Sequence, residues 1–236
     1  MALGHKTLED LLGPISEQLG HDSVADAIEL PAWQHQAARV TDGLGSQELV
    51  DLFVSESEKI HIQVRRCAAD GLADCLAGIV GAGVPETGEP CTVVCADEGR
   101  FAQNGVYDAI SAQDLVSNVT VWDGQKGDEN IDAALQATFG ITYASAGIAE
   151  TGTVVQATSP QCGRAISLLP LVHVAVVDAS TIVPTMLQVM QAYAEDGQQL
   201  PSQVCFISGP SATADIELVR VEGVHGPMYV YYVIVE

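Results

Sequence analysis

The chain has 236 residues, of which 31 are Asp or Glu and nine are Lys or Arg, a formal net charge of −22 with His neutral. Such a field repels phosphate backbones and anionic lipid, which argues against a nucleic-acid binder. Hydrophobic residues make up 47% and charged ones only 17%, which excludes a disordered acidic tail and fits one large α/β domain able to bury its core without disulfide or metal staples.

In chain order, Thr7, Glu9 and Asp10 open an acidic first turn, and Leu8, Leu11, Leu12, Ile15 and Leu19 recur at helical spacing up to Gly20. Residues 21–45 mix short apolar pieces with Pro31, Gly43 and Gly45, which reads as an extension rather than a domain. The boundary is placed at Ser46, giving a helical N-terminal extension over 1–45 and a main domain over 46–236. From Ser46, with Glu48 near the capping-box position, Leu49 to Val54 make a helix. Ile60, Ile62 and Val64 then alternate with polar residues, the period of a half-buried strand.

Ala68 to Ile79 returns to helix, and Cys91–Cys95, Val119–Trp122 and Ile141–Ala144 read as short strands, with a helix from Asp128 to Phe139 between the last two. Further on, Thr153–Ala157, Leu171–Val177, Val204–Ile207 and Met228–Val235 are strand-like, and Thr181–Tyr193 is helical. Strands alternating with helices predict an α/β fold with a mixed or parallel sheet and helices on both faces.

No basic cluster precedes a long apolar stretch near the N-terminus, and the apolar region Leu168–Val177 is broken by Pro170 and His173. The expectation is a cytoplasmic protein with no membrane insertion. The six Cys contain no CxxC, and no His or Cys pair has metal spacing. Reduced core thiols and no intrinsic metal, cluster or other cofactor are expected. GxxxxGK[ST] and a GxGxxG after a strand are both missing, which argues against a P-loop NTPase or a Rossmann dehydrogenase.

Three segments offer chemistry. Ile207 to Glu217 (ISGPSATADIE) runs from a strand through a Gly/Ser turn toward a helix. There Ser208, Gly209, Ser211, Thr213 and Asp215 are ligand-binding candidates for a small anion, the alternative being an ordinary capped turn. Gly147 to Thr153 places Glu150 among small residues. Glu150 is a candidate base or nucleophile, with Thr151, Gly152, Thr153 and Arg164 as ligand contacts; alternatively Glu150 pairs with Arg164 or with backbone donors. His225, in VHGP before the last strand, either shuttles a proton or fixes a turn. His173, inside LVHVAVV, reads as a satisfied sheet histidine.

GIAETGTVV (147–155), GRAISLLP (163–170), STIVP (180–184) and ISGPSATADIE with GVHGP (207–217, 223–227) resemble the lactate-utilisation protein C family, the LUD domain. PAWQHQ (31–36), KIH (59–61), VWD (121–123), NIDAA (130–134) and GIT (140–142) resemble the same family in order, so the likeness spans nearly the whole chain. It implies a NagB/RpiA/CoA-transferase-like fold and a part in oxidising L-lactate to pyruvate alongside companion iron–sulfur proteins that carry the clusters. Ala212 departs from the polar or basic side chain that members often carry there; the backbone donors of the turn survive that change. The competing reading is a stand-alone CoA-transferase-like or isomerase-like enzyme that uses Glu150 on an acyl or phosphorylated small molecule.

Overall fold

The computed structural model describes residues 8–21, 39–85, 87, 89–195, 200–213, 221–223 and 225–236. Two compact units result, Met1–Arg39 and Val40–Glu236. Within the first, α1 spans Leu8–Gln18; residues 22–38, including the PAWQHQ segment, lie outside the described residues.

The second unit begins with α2 (Ser46–Lys59), β1 (Gln63–Cys67), α3 (Leu72–Gly81), β2 (Cys91–Cys95), α4 (Gly99–Gln103), α5 (Val106–Ser111), β3 (Val116–Val121) and α6 (Asp128–Gln136). It continues through β4 (Phe139–Tyr143), β5 (Ala146–Ile148), β6 (Thr153–Ala157), α7 (Ala165–Leu168), β7 (Val172–Asp178), β8 (Ile182–Val183) and α8 (Met186–Glu195). It ends with β9 (Val204–Ile207), β10 (Ala212–Thr213), β11 (Val221–Glu222) and β12 (Tyr229–Val235).

Six strands form a central sheet in the order β1-β12-β7-β4-β2-β3, every pair parallel. Parallel strands need both faces covered, and the near-continuous apolar runs of β7 and β12 supply side chains for both. Val172, Val174 and Val176 of β7 join Tyr231 and Val233 of β12 in a core shared with α3 and α5. Ala175 and Val177 join Tyr232 and Ile234 on the opposite face, against Phe53 of α2.

That opposite face also carries a second sheet, β8-β5-β6-β9, in which β6 is antiparallel to both neighbours. Val154 and Ile207 of this sheet pack inward on the α2 side of the core, while Val155 packs outward with Val189 of α8. The fold is therefore α/β with a parallel central sheet and helices on both faces, and a small mixed sheet laid over one of those faces.

Three segments differ from the sequence reading. The alternation at Ile60, Ile62 and Val64 suggests a strand, but α2 runs to Lys59, a turn with His61 at φ 66° follows, and β1 starts at Gln63. Both Ile60 and Ile62 donate their N–H groups to Ser57, so local hydrogen bonding ends the helix where the side-chain pattern suggests extension. The helix expected over Thr181–Tyr193 is split, because Ile182–Val183 pairs with β5 before α8 begins at Met186. Ala212–Thr213 extends as β10 antiparallel to β11, so no helix starts at Ser211, and the helix expected further on falls on residues 214–220, outside the described residues.

Gly152 shows why one of the small-residue motifs is small. Its φ is +56°, and a Cβ there would lie 2.5 Å from the Ser57 backbone nitrogen at the end of α2. Gly152→Ala is therefore expected to cost about 2 kcal/mol or more through left-handed strain and overpacking, a fall in melting temperature of at least several degrees. A variant with the parent melting temperature would contradict this packing account.

Candidate functional site

The turn after β9 is held from beneath by Tyr232. Its hydroxyl donates to the Ile207 carbonyl at 2.7 Å, and the backbones of Val154 and Gly209 also bond it. The ring is fully buried and stacks on Phe53 at a centroid distance of 5.5 Å, and burial pushes the phenol pKa well up, so the donor stays protonated. Gly209 follows at φ +91°, where a Cβ would stand 2.8 Å from the Ile60 carbonyl oxygen. The turn thus rests on the end of α2, an approach that only glycine permits.

Two backbone bonds then fuse this turn with the segment before β12. Ser211 N donates to the Pro227 carbonyl at 2.9 Å, and the Ser211 carbonyl accepts from Gly223 N at 2.7 Å. From the other side His61 Nδ1 lies 2.8 Å from Glu222 Oε1, tying β11 to the α2–β1 junction.

These loops, the end of α7 and the starts of β7 and β12 enclose a cleft of about 350 Å³. Its polar lining includes Ser208, Ser211, His225 and His173; Leu168, Phe206, Pro227 and Val230 supply apolar wall. Apolar lining with a few convergent polar groups is the usual make-up of a ligand site. Among the described residues no Lys or Arg lines it, so of these the serine hydroxyls and the exposed His225 are the groups suited to an anion.

The cleft is not where open parallel sheets usually bind ligands. At the carboxyl ends of the central strands, the Arg100 guanidinium lies 3.4 Å over the Tyr143 ring and donates to Glu98 at 2.9 Å and Asp178 at 2.7 Å. Tyr143 donates to the same Asp178 carboxylate at 2.5 Å. That end is occupied by the protein's own ion pairs. The cleft instead opens at the amino-terminal starts of β7 and β12, because the turn that forms its wall follows an antiparallel edge strand of the second sheet rather than a central strand.

The two motif segments are brought together, but only one borders the cleft. β6 pairs with β9, Val154 opposite Ile207. A chain of hydroxyls runs from Thr151 Oγ1 to Thr153 Oγ1 at 2.7 Å and on to Ser208 Oγ at 2.6 Å. Ser208, Gly209, Ser211 and His225 line the cleft; Glu150, Thr151, Gly152, Thr153 and Arg164 do not.

Glu150 sits half-buried in the turn Ala149–Thr151, its N–H donating to Pro184 at 3.2 Å. The alternative pairing of Glu150 with Arg164 is not formed: Arg164 Nη1 donates to Gln203 Oε1 at 3.3 Å. Thr213 lies in the β10–β11 ribbon, and Asp215 lies outside the described residues. All six cysteines are free thiols. Burial raises the pKa of Cys95 and Cys162 to about 12, and no group of three or more His, Cys, Asp or Glu able to hold a metal occurs among the described residues. No helix among the described residues is long and apolar enough to cross a membrane.

His173, expected to be a satisfied sheet histidine, is satisfied at one ring nitrogen only. It has no exposed surface, its Nε2 lies 2.9 Å from Thr142 Oγ1, and its Nδ1 has no hydrogen-bond partner. Burial lowers its pKa to about 4. The signal was the imidazole itself, a polar interruption in a strand otherwise made of Val, Ala and Leu, and read there as satisfied.

The LUD domain family model matches residues 50–235. The chain is 36% identical over 229 residues to "Lactate utilization protein C" of Anoxybacillus flavithermus, covering 97% of this chain and 99% of that protein. It is also 36% identical over 234 residues to "Lactate utilization protein C" of Bacillus subtilis, covering 96% of this chain and 95% of that one. A crystal structure of a DUF162 family protein from Deinococcus radiodurans superposes with a TM-score of 0.56 at 21% identity, covering 82% of this chain and 99% of that chain. This last likeness shows a shared fold.

Proposed function

Because the chain belongs to the LUD domain family, we propose that it is a cytoplasmic component of a lactate-utilisation system that oxidises L-lactate to pyruvate. The observation that carries the reading is its similarity, along nearly the full length of both chains, to proteins named for lactate utilisation. Oxidation of lactate releases two electrons and two protons. In this proposal the electrons leave through iron–sulfur clusters on companion proteins, because the thiols here are dispersed, with Cys91 and Cys95 inside the central sheet and Cys162 and Cys205 beside β6. The chain's own task is to hold a small anionic ligand in the cleft, through Ser208, Ser211 and His225.

Lactate-dependent dye reduction, measured for the chain alone, for the companions alone and for the mixture, tests this. The mixture is expected to exceed the sum of the separate rates at least tenfold. Companions that run at the full rate without the chain would contradict the proposal.

A second reading keeps Glu150 as catalytic base or nucleophile on an acyl or phosphorylated molecule. What favours it is the half-buried carboxylate, which has neither an ion pair nor a side-chain hydrogen bond among the described residues. Glu150→Gln keeps the shape and removes the basicity. With the cleft as the site, the mixture is expected to retain activity within about threefold; a fall of roughly 10²-fold at unchanged melting temperature would favour the enzyme reading.

A further inference from the structure

At one edge of the central sheet, β1 and α3 bring two cysteines together. Arg65 and Cys67 of β1 pair with Val233 and Val235 of β12, and both valines belong to the core on the α3 side of the sheet. Arg65 and Cys67 therefore face α3. The chain turns through Ala69–Gly71 into that helix. Gly71 and Cys75 stand four residues apart on one helix face, and a helical side chain leans over the turn before it. A Cβ placed on Gly71 would lie 3.9 Å from Cys67 Cβ, so Cys67 occupies the space over which the Cys75 thiol leans. Both cysteines pack against the same core, and the titration of each responds to the other.

The two thiols are not equivalent. Cys75 lines a cleft of about 300 Å³ together with Arg65, Asp74, Gly78, Ile79 and Tyr231, and Cys67 does not. Burial raises the pKa of both, that of Cys67 to about 12, while on Cys75 the Cys67 thiol and the Arg65 guanidinium pull the other way. Cys75 thus has both the larger thiolate fraction and the open approach. Cys67 is placed to react with whatever Cys75 becomes.

We propose that Cys67 and Cys75 are an oxidisable pair that hydrogen peroxide converts to an intramolecular disulfide, Cys75 reacting first and Cys67 second. The Cys75 thiolate attacks one peroxide oxygen and the O–O bond breaks. Hydroxide leaves and takes up the proton that Cys75 had lost, giving water and a sulfenic acid on Cys75. The Cys67 sulfur then attacks the Cys75 sulfur; the S–S bond forms, the S–O bond breaks, and the leaving hydroxide takes the Cys67 proton as a second water. In sum two thiols lose two electrons and one peroxide is reduced to two waters. The product ties the end of β1, an edge strand, to α3. Because little thiolate is present near pH 7, the pair rests reduced and reacts only when peroxide persists.

The test treats the reduced full chain with excess hydrogen peroxide, removes the excess with catalase, and counts and alkylates the remaining thiols after unfolding. Digestion on the amino side of aspartate then cuts at Asp70 and Asp74, between the two cysteines. The expected result is loss of two of the six thiols, a single-chain mass lower by two hydrogens before alkylation, and a bond joining the peptide that ends at Ala69 to the one that begins at Asp74. The second peptide also carries Cys91 and Cys95, so its fragment masses must place the bond at Cys75. Dithiothreitol is expected to restore all six thiols. Cys75→Ser is expected to form no such bond, and Cys67→Ser to hold a sulfenic acid at Cys75 that dimedone traps. An unaltered chain that keeps its six thiols, bonds other cysteines, joins to a second chain, or goes to sulfinic acid at Cys75 without the bond overturns the proposal, whether or not the variants fold.

Discussion

With Ser208 and Ser211 both replaced by alanine, the concentration of L-lactate needed for half-maximal dye reduction by the complete mixture is expected to rise about 10²-fold or more. Among the described residues the cleft is lined by no Lys or Arg, so an anion there draws on hydroxyl donors, and each hydrogen bond to a charged group contributes about 1.5–3 kcal/mol. The frame should survive the change. Ser211 is held through its backbone, to Pro227 and Gly223, and the exposed Ser208 loses only its side-chain bond to Thr153. A melting temperature within a few degrees of the parent would separate lost recognition from lost folding. Unchanged half-saturation would remove these serines from the site.

Acid is expected to weaken the fold through His173. The native ring has its pKa lowered to about 4 by burial, whereas an unfolded His titrates near 6.5. Between these values the unfolded chain binds the additional proton, so stability rises with pH. This contribution is fully present above about pH 6.5 and is lost as pH falls toward 4, a change on the order of 3 kcal/mol. Carboxylates titrate in the same range, and relief of the −22 net charge works in the opposite direction, so the informative quantity is a difference. Urea unfolding of the parent and of His173→Phe at about pH 7.5 and about pH 4.5 isolates it, the variant being expected to lose less stability than the parent. Equal losses would mean that the ring is hydrated or paired in solution.

Much of the fold was legible because its central strands are buried on both faces. LVHVAVV and MYVYYVIV are too apolar to face water on either side, and the structure places them side by side at the centre of a parallel sheet. The second sheet was not separable from the first. Strands of two to five residues such as Ile182–Val183 and Ala146–Ile148 carry no mark of which sheet they join or in which direction. The region from Gly99 to Ser111 gave no element in the sequence, since its two helices of five and six residues, parted by Gly105 at φ 66°, are too short to show a period.

The site was half legible, for a related reason. Serines and glycines after a strand marked the turn, whereas the pairing of Ala212–Thr213 with Val221–Glu222 had no signal in the sequence, and the helix expected behind the turn falls on residues 214–220, outside the described residues. Glycines at 147 and 152 suggested room for a ligand near Glu150. They make room for Phe53 and for the backbone of Ser57, a role that sequence alone cannot distinguish from ligand access. His173 is the reverse case, a residue whose unmatched nitrogen becomes visible only when the partners around it are known.

On the proposed reading the cleft beneath the Ser208–Ser211 turn, and not the surroundings of Glu150, takes the ligand. A crystal structure of the full chain grown with L-lactate or pyruvate decides between the two places. Ligand density between Ser208, Ser211 and His225, reaching toward His173, is the predicted result; ligand held at Glu150 with the cleft closed would contradict it.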